Sequence, residues 1–204
     1  MSTSEYLPSE SFPASVFEFA ELGGLFERHG PRLTAILRRR IDPALGARLD
    51  AEDIVNAAFL AARRRWPAYR ADRRVSEFVW LYRIVNDTFV EEWRKATASN
   101  RDVYRGANWD ERGSVDLCLR LVEKGAGPAT EAVRRERTTF MERAVAGLPD
   151  GDREVIRLRG YEDLSYAEIA EHLGVEESAA TKRYVRALRK LKEIWQRITG
   201  ESRP

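Results

Sequence analysis

The chain has 204 residues, 43% hydrophobic and 33% charged, which is enough apolar material for a buried core and excludes global disorder. Lys and Arg number 35 against 33 Asp and Glu, a net charge of +2, so the chain is no general polycation. One cysteine (Cys118) and two distant histidines (His29 and His172) exclude an internal disulfide and a closed structural zinc site, and no apolar run approaches the ~20 residues of a membrane span.

Charge is unevenly spread. Residues 1–27 carry acids only (Glu5, Glu10, Glu18, Glu21, Glu27), whereas the stretch from Lys182 to Arg197 is dense in Lys and Arg. A locally basic segment in a balanced chain points to a confined anionic contact. The start MSTSEYLPSE has no basic residue before Arg28 and reads as neither a secretory nor a mitochondrial leader. The expectation is a soluble cytoplasmic protein without a cofactor.

In chain order, Pro8, Pro13 and Gly23-Gly24 break up residues 1–24, which read as a loosely ordered tail with a short helix at Val16–Leu22. From Leu25 to Lys95 the pattern is helical, punctuated by Asp42-Pro43, Asp50, Pro67 and the polar turn ADRRVS. Asp50 is the expected N-cap of a helix over 51–65 whose core stripe is Ile54, Val55, Ala58 and Ala62. Asp53, Asn56 and Leu60 then point outward, an arrangement that fits a partner-helix contact as well as it fits an isolated surface leucine. A second helix over 78–95 buries Phe78, Leu81, Val85 and Phe89 and leaves Trp80, Arg83, Asp87 and Arg94 on its free side. Aromatics interleaved with arginines suit single-stranded nucleic acid. Packing of Trp80 and Trp93 on a neighbouring helix, the usual situation of aromatics, is the favoured explanation of the tryptophans from the residues alone. Residues 96–127 are polar, Gly-containing and poorly periodic, and read as a linker with one short helix at Val115–Glu123. The helical pattern resumes at Pro128, a residue suited to a first helical position, and runs to about Thr199.

The most specific signal is LSYAEIAEHLGVEESAATKRYVRALRKLKEIW, residues 164–195. Ser165 and Glu168 make an S-x-x-E capping box, so a helix is expected from Tyr166, ending at Leu173-Gly174 where glycine can adopt a left-handed conformation. Ala170 is small enough for a second helix to cross closely. That helix, starting near Glu176 or Glu177, buries Ala180, Tyr184, Leu188, Leu191 and Trp195 on one arc. Ser178, Lys182, Arg186 and Arg189, flanked by Arg183 and Lys190, face the other way. Short helix, glycine turn and longer basic helix form a helix-turn-helix suited to a DNA major groove. The fold class predicted is all-α: two small helical domains joined by a flexible linker, the C-terminal one containing the helix-turn-helix.

Together, DAEDIVNAAFLAARRRW (50–66), FVWLYRIVNDTFVEEWRK (78–95) and LPDGDREVIRLRGYEDLSYAEIAEHLG (148–174) resemble the extracytoplasmic-function (ECF) sigma factors of bacterial RNA polymerase. The resemblance covers residues 25–95, like sigma region 2, and 129–195, like region 4, within a C-terminal domain assigned to 128–199. It implies a non-enzymatic specificity subunit that directs promoter-specific initiation. Its expected partners are the largest subunits of core RNA polymerase, promoter DNA and an anti-sigma factor. By residue, it implies polymerase binding through Asp53, Asn56, Phe59 and Leu60. It implies −10 recognition and melting through Arg74, Trp80, Arg83, Asn86, Asp87 and Arg94, and −35 recognition through Ser165, Ser178, Thr181, Lys182, Arg183, Arg186 and Arg189. The rival readings are an autonomous helix-turn-helix repressor or activator with a ligand-sensing or dimerising N-terminal domain, and a module that sequesters another regulator.

Overall fold

The computed structural model describes residues 14–41, 48–98, 115, 118 and 130–200; the expected tail before Ala14 and most of the 96–127 segment lie outside the described residues. The first helix, α1 (Ala14–Arg40), is anchored by Leu22, Leu25, Leu33, Ile36 and Leu37, all buried. It runs without interruption through Gly23-Gly24 and Pro31, which corrects the expected break at the glycine pair. A glycine costs a helix only about 1 kcal/mol relative to alanine. The buried leucines on either side bring in more than that, at about 1.5–3 kcal/mol for each large apolar side chain removed from water.

Helix α2 (Ala51–Ala71) begins as expected at Asp50, whose carboxylate accepts from the backbone N–H of Glu52 (2.7 Å) and Asp53 (3.2 Å). It does not stop at Pro67. Trp66 and Tyr69 are buried on either side of that proline and hold another turn against the core. Helix α3 (Glu77–Thr97) is capped by the Ser76 hydroxyl and buries Phe78, Leu81, Val85 and Phe89, the four residues its periodicity singles out. These three helices pack pairwise around one apolar centre.

The C-terminal group comprises α4 (Glu131–Ala146), α5 (Asp150–Ile156), a π-helical turn (Arg157–Tyr161), α6 (Tyr166–Leu173) and α7 (Glu177–Thr199). Helix α4 starts after Thr130, whose hydroxyl caps the Val133 N–H, three residues later than the start expected at Pro128. Met141, Val145, Val155, Ile156, Leu158, Ile169, Ala180, Ala187, Leu191 and Trp195 close its core around α7. Val115 and Cys118, from the segment expected to be linker, are helical and buried; the remainder of the expected 115–123 helix lies outside the described residues. Burial pushes the Cys118 thiol up to about 12, so it is not a thiolate at neutral pH.

The π turn redirects the chain ahead of α6. Its wide register is closed by the Glu162 N–H donating to the Arg157 carbonyl (3.0 Å) and the Leu164 N–H donating to the Leu158 carbonyl (2.9 Å). Asp163 then takes φ +59°, the one left-handed non-glycine residue among those described, a conformation aspartate tolerates better than most. The outcome is that Arg157 and Glu162 both point inward, toward the first helical group.

Candidate nucleic-acid interface

The helix-turn-helix forms as its sequence dictates. The Ser165 hydroxyl accepts from the Glu168 N–H (3.2 Å), and the Glu168 carboxylate accepts from the Ser165 N–H (2.7 Å), completing the capping box. Gly174, at φ +66°, ends α6 and turns the chain into α7. On α7, Ala180, Leu191 and Trp195 are buried, with Tyr184 and Leu188 half-buried beside them.

On the opposite face, Ser178, Lys182, Arg186 and Arg189 are exposed. Lys182 and Arg186 make no ion pair among the described residues, while Arg189 reaches Glu193 at 3.9 Å. Two flanking positions differ from expectation. Arg183 is half-buried and lies along α5, close enough that a Cβ at Gly151 would meet its guanidinium at 3.8 Å; Lys190 pairs with Asp152 at 2.6 Å. Thr181 is half-buried and donates its hydroxyl to the Glu177 carbonyl (3.0 Å). The free face also carries a residue that the basic pattern of the sequence hides. Val185 is 59% exposed and at 100° per residue lies about 20° around the helix from Ser178, on the side away from Lys182 and Arg189. The angular argument that finds the basic residues finds it too.

The expected −10 residues differ in exposure and in partners. Trp80 is half-buried, with its ring stacked on Tyr69 (4.3 Å between centroids, 15°) and tilted against Trp66. The packing explanation therefore accounts for it without nucleic acid. Arg74 is exposed and pairs with Asp72 (2.6 Å), Asp87 is exposed and pairs with Arg65 (3.2 Å), and Arg94 is exposed. Asn86 accepts from Arg40 (2.9 Å). Arg83 is drawn into the seam between the two helical groups, donating to the carbonyls of Glu171 (2.6 Å) and His172 (3.0 Å) at the end of α6.

On α2, Asp53 and Asn56 are exposed and Leu60 is 53% exposed, one of the few large apolar side chains left in water. Phe59 instead faces inward, edge-on to Phe26 of α1 at 5.1 Å. Its role is to fix α2 on α1.

The seam itself has no counterpart in the sequence pattern. Glu162, wholly buried, accepts from the Tyr82 hydroxyl of α3 (2.5 Å) and from Arg157, and lies 3.4 Å from Arg40 of α1. Arg157 also donates to the Tyr82 oxygen (3.1 Å). Burial opposes ionisation of Glu162, but Arg40 and Arg157, with the Tyr82 and Arg157 hydrogen bonds, outweigh it and hold the carboxyl below the usual carboxylate range. The phenol of Tyr82 is pushed up by burial and by the Glu162 charge. At the rim, Arg32 of α1 grips both oxygens of Glu168 (2.5 and 2.9 Å) and the Asp163 carbonyl (3.2 Å). The Ser76 N–H donates to the Glu171 carboxylate (2.8 Å), and His172 sits edge-on to Tyr82 at 5.2 Å. The contacts that cross the seam join residues far apart in sequence, which is why periodicity could not reveal them.

A helix-turn-helix whose outer face exposes Lys182, Arg186 and Arg189, joined to a second helical group, is the arrangement of helix-turn-helix DNA-binding proteins. Comparison with known proteins makes this specific. Residues 25–99 match the Sigma-70 region 2 family and residues 141–191 the Sigma-70, region 4 family. The chain is 30% identical over 131 residues to the ECF RNA polymerase sigma factor SigW of Bacillus subtilis, covering 64% of this chain and 67% of that protein. It is 28% identical over 142 residues to the ECF RNA polymerase sigma-E factor of Escherichia coli K12, covering 68% and 70%. The chain belongs to the ECF sigma factors: it is a regulatory initiation factor that directs transcription at promoters, in a family whose members are not enzymes. No described helix is long and apolar enough to cross a membrane.

Proposed function

We propose that this sigma factor works in the cytoplasm by docking residues 25–95 on the largest subunits of core RNA polymerase and presenting residues 128–199 to the −35 element. In this reading Asp53, Asn56 and Leu60 on α2 form the polymerase face, which is also where an anti-sigma factor would compete. Arg74, Arg83, Asn86, Asp87 and Arg94, with Trp80 behind them, serve the −10 element and its melted strand. Ser165 at the start of α6, with Ser178, Thr181, Lys182, Arg186 and Arg189 on α7, enters the −35 major groove, and Arg183 contributes from its edge. Lys182 and Arg186, exposed on α7 and without an ion pair among the described residues, carry the reading, because arginine and lysine side chains in that setting meet guanine acceptors and phosphates.

Neither DNA contact is strong alone, since a near-neutral chain neutralises few phosphates; polymerase makes the two contacts intramolecular and sets their spacing. Run-off transcription with purified core polymerase on a fragmented genomic library tests this. Initiation at sites sharing two elements at a fixed separation is the expected result. Absence of initiation, together with unaided nanomolar binding to a palindrome, would establish the autonomous repressor instead.

A further inference from the structure

Among the described serines and threonines, Ser76 stands apart by its surroundings. It is exposed, and it lies in the stretch 72–76 between α2 and α3, where the backbone is outside any helix. Arg73 and Arg74, both exposed, stand three and two positions ahead of it. Arginines at those positions, ahead of a serine in irregular chain, are the charge pattern read by serine kinases with acidic substrate pockets. Thr138 and Thr139 also follow arginines, but they lie inside α4, where the helix withholds the extended backbone that a kinase cleft needs. Thr130, Ser165 and Ser178 are exposed as well, yet none has an arginine in the three positions ahead of it. The Ser76 hydroxyl is also lightly held. Its one partner among the described residues is the Val79 N–H at 3.4 Å, a long bond, and the contact with Glu171 uses the Ser76 backbone N–H instead. A phosphate on that oxygen would face the N-terminus of the 21-residue α3 with Arg73 and Arg74 in the adjoining turn. Those are the two settings in which a phosphoserine gains charge-assisted hydrogen bonds. The present partners of the two arginines, Glu77 (3.4 Å) and Asp72 (2.6 Å), form surface ion pairs that cost little to exchange.

We propose that Ser76 is a phosphorylation site for an arginine-directed serine kinase, and that the added phosphate turns off initiation by this chain. In the modifying step the Ser76 hydroxyl oxygen bonds to the γ-phosphorus of ATP. The bond from that phosphorus to the oxygen bridging it to the β-phosphate breaks, ADP leaves, and the hydroxyl proton passes to the kinase's catalytic base. Before modification the turn is balanced, with Arg73 and Arg74 against Asp72 and Glu77. The phosphate adds a charge of about −1.5 to −2 and engages the arginines. The effect on initiation rests on the reading that Arg74 serves the −10 element: promoter DNA approaching the modified turn meets like charge where it met a cation. Ser76 belongs to none of the polymerase, −10 or −35 sets, and gains a role through this.

The test incubates the full chain with radiolabelled ATP and the catalytic subunit of cyclic-AMP-dependent protein kinase as an arginine-directed probe, and maps the label by phosphopeptide mass spectrometry. Label should enter at Ser76 and be lost from that position in Ser76→Asn. Run-off transcription with core polymerase then compares the unmodified chain, the phosphorylated chain, Ser76→Asp and Ser76→Asn. Asparagine and aspartate cap a helix as well as serine does, so both variants keep the start of α3 and differ in charge alone. The phosphorylated chain and Ser76→Asp should initiate at least about tenfold less than the parent, the least that a like-charge contact costs. Ser76→Asn should match the parent, and all four forms should co-purify with polymerase. A folded chain that takes no label at Ser76 would overturn the proposal, as would a phosphorylated chain that initiates as well as the parent. Failure of the unmodified parent to initiate is a different outcome: it would remove the −10 reading and the effect built on it, while the labelling result judges the modification site alone.

Discussion

Glu162 holds a negative charge with no access to water, balanced by Arg40 and Arg157 and by the Tyr82 hydroxyl. Removing one member of such a set leaves the others charged and buried, so Glu162→Ala should cost about 3–5 kcal/mol. Tyr82→Phe, which removes one hydrogen bond and keeps the charges matched, should cost about 1 kcal/mol. Urea denaturation of both variants measures the difference, and equal costs would mean the charges do not govern this site. At the other extreme of exposure stands Val185. A β-branched apolar side chain in water among cations gains nothing for the fold, but in a major groove it can meet a thymine methyl. Replacing thymine by deoxyuridine along the −35 element should weaken wild-type binding about fourfold at one position, the value of one methyl group at ~0.8 kcal/mol. Val185→Ala should be indifferent to that same replacement when binding is followed on polymerase-bound promoter DNA.

Each helix that matters for function separates a buried stripe from an exposed one, and the exposed stripes can be altered without touching the core. On α2, Leu60→Asp should leave stability within about 0.5 kcal/mol and abolish co-purification with core polymerase; unchanged co-purification would remove the polymerase face from that helix. On α7, Lys182→Ala with Arg186→Ala should abolish −35 selection with polymerase binding intact. Between α6 and α7, Gly174→Ala meets no steric obstacle, so its expected cost of about 1–2 kcal/mol comes from the left-handed backbone alone. These elements are legible in the sequence because their signals are local. The Asp50 cap, the Ser165–Glu168 box, Gly174 and the stripes of α3 and α7 each need only neighbours within a turn or two. Pro67 and Gly23-Gly24 mislead for the same reason: their local cost is real, but Trp66, Tyr69, Leu22 and Leu25 are held by residues far along the chain. Arg183, expected to flank the exposed face, is half-buried because it lies at the edge of its helix's arc, where only the neighbouring helix decides the direction.

At the scale of the whole chain, the two helical groups are tied by acids of one set into bases of the other, so their association should depend on pH in a definite direction. Glu162 and Glu168 both hold their protons less tightly than an ordinary carboxyl. In each, burial works the other way but is outweighed, by Arg40 and Arg157 for Glu162 and by Arg32 and the Ser165 cap for Glu168. A carboxyl lowered on folding contributes stability above its unfolded value, about 4.3 for glutamate, and that contribution disappears as pH falls through the lower folded value. His29 acts in the same sense from a higher starting point. Burial, then the Arg28 charge, keeps it neutral, so the unfolded chain takes up that proton first, and stability declines gently as pH drops through about 6.5. The expected profile is therefore a plateau near neutrality, a shallow loss below about pH 6.5 and a steep one below about pH 4. The chain should loosen on the steep limb, as the seam loses its ion pairs while the apolar packing within each helical group, which contains few ionisable residues, persists. Urea midpoints and the radius of gyration from X-ray scattering, taken from about pH 7 to about pH 3, check both parts. Glu162→Gln should begin less stable and show a flatter acid limb, because the proton that drives the wild-type transition has no site to occupy. A variant as steep as the parent would place the acid sensitivity outside the seam.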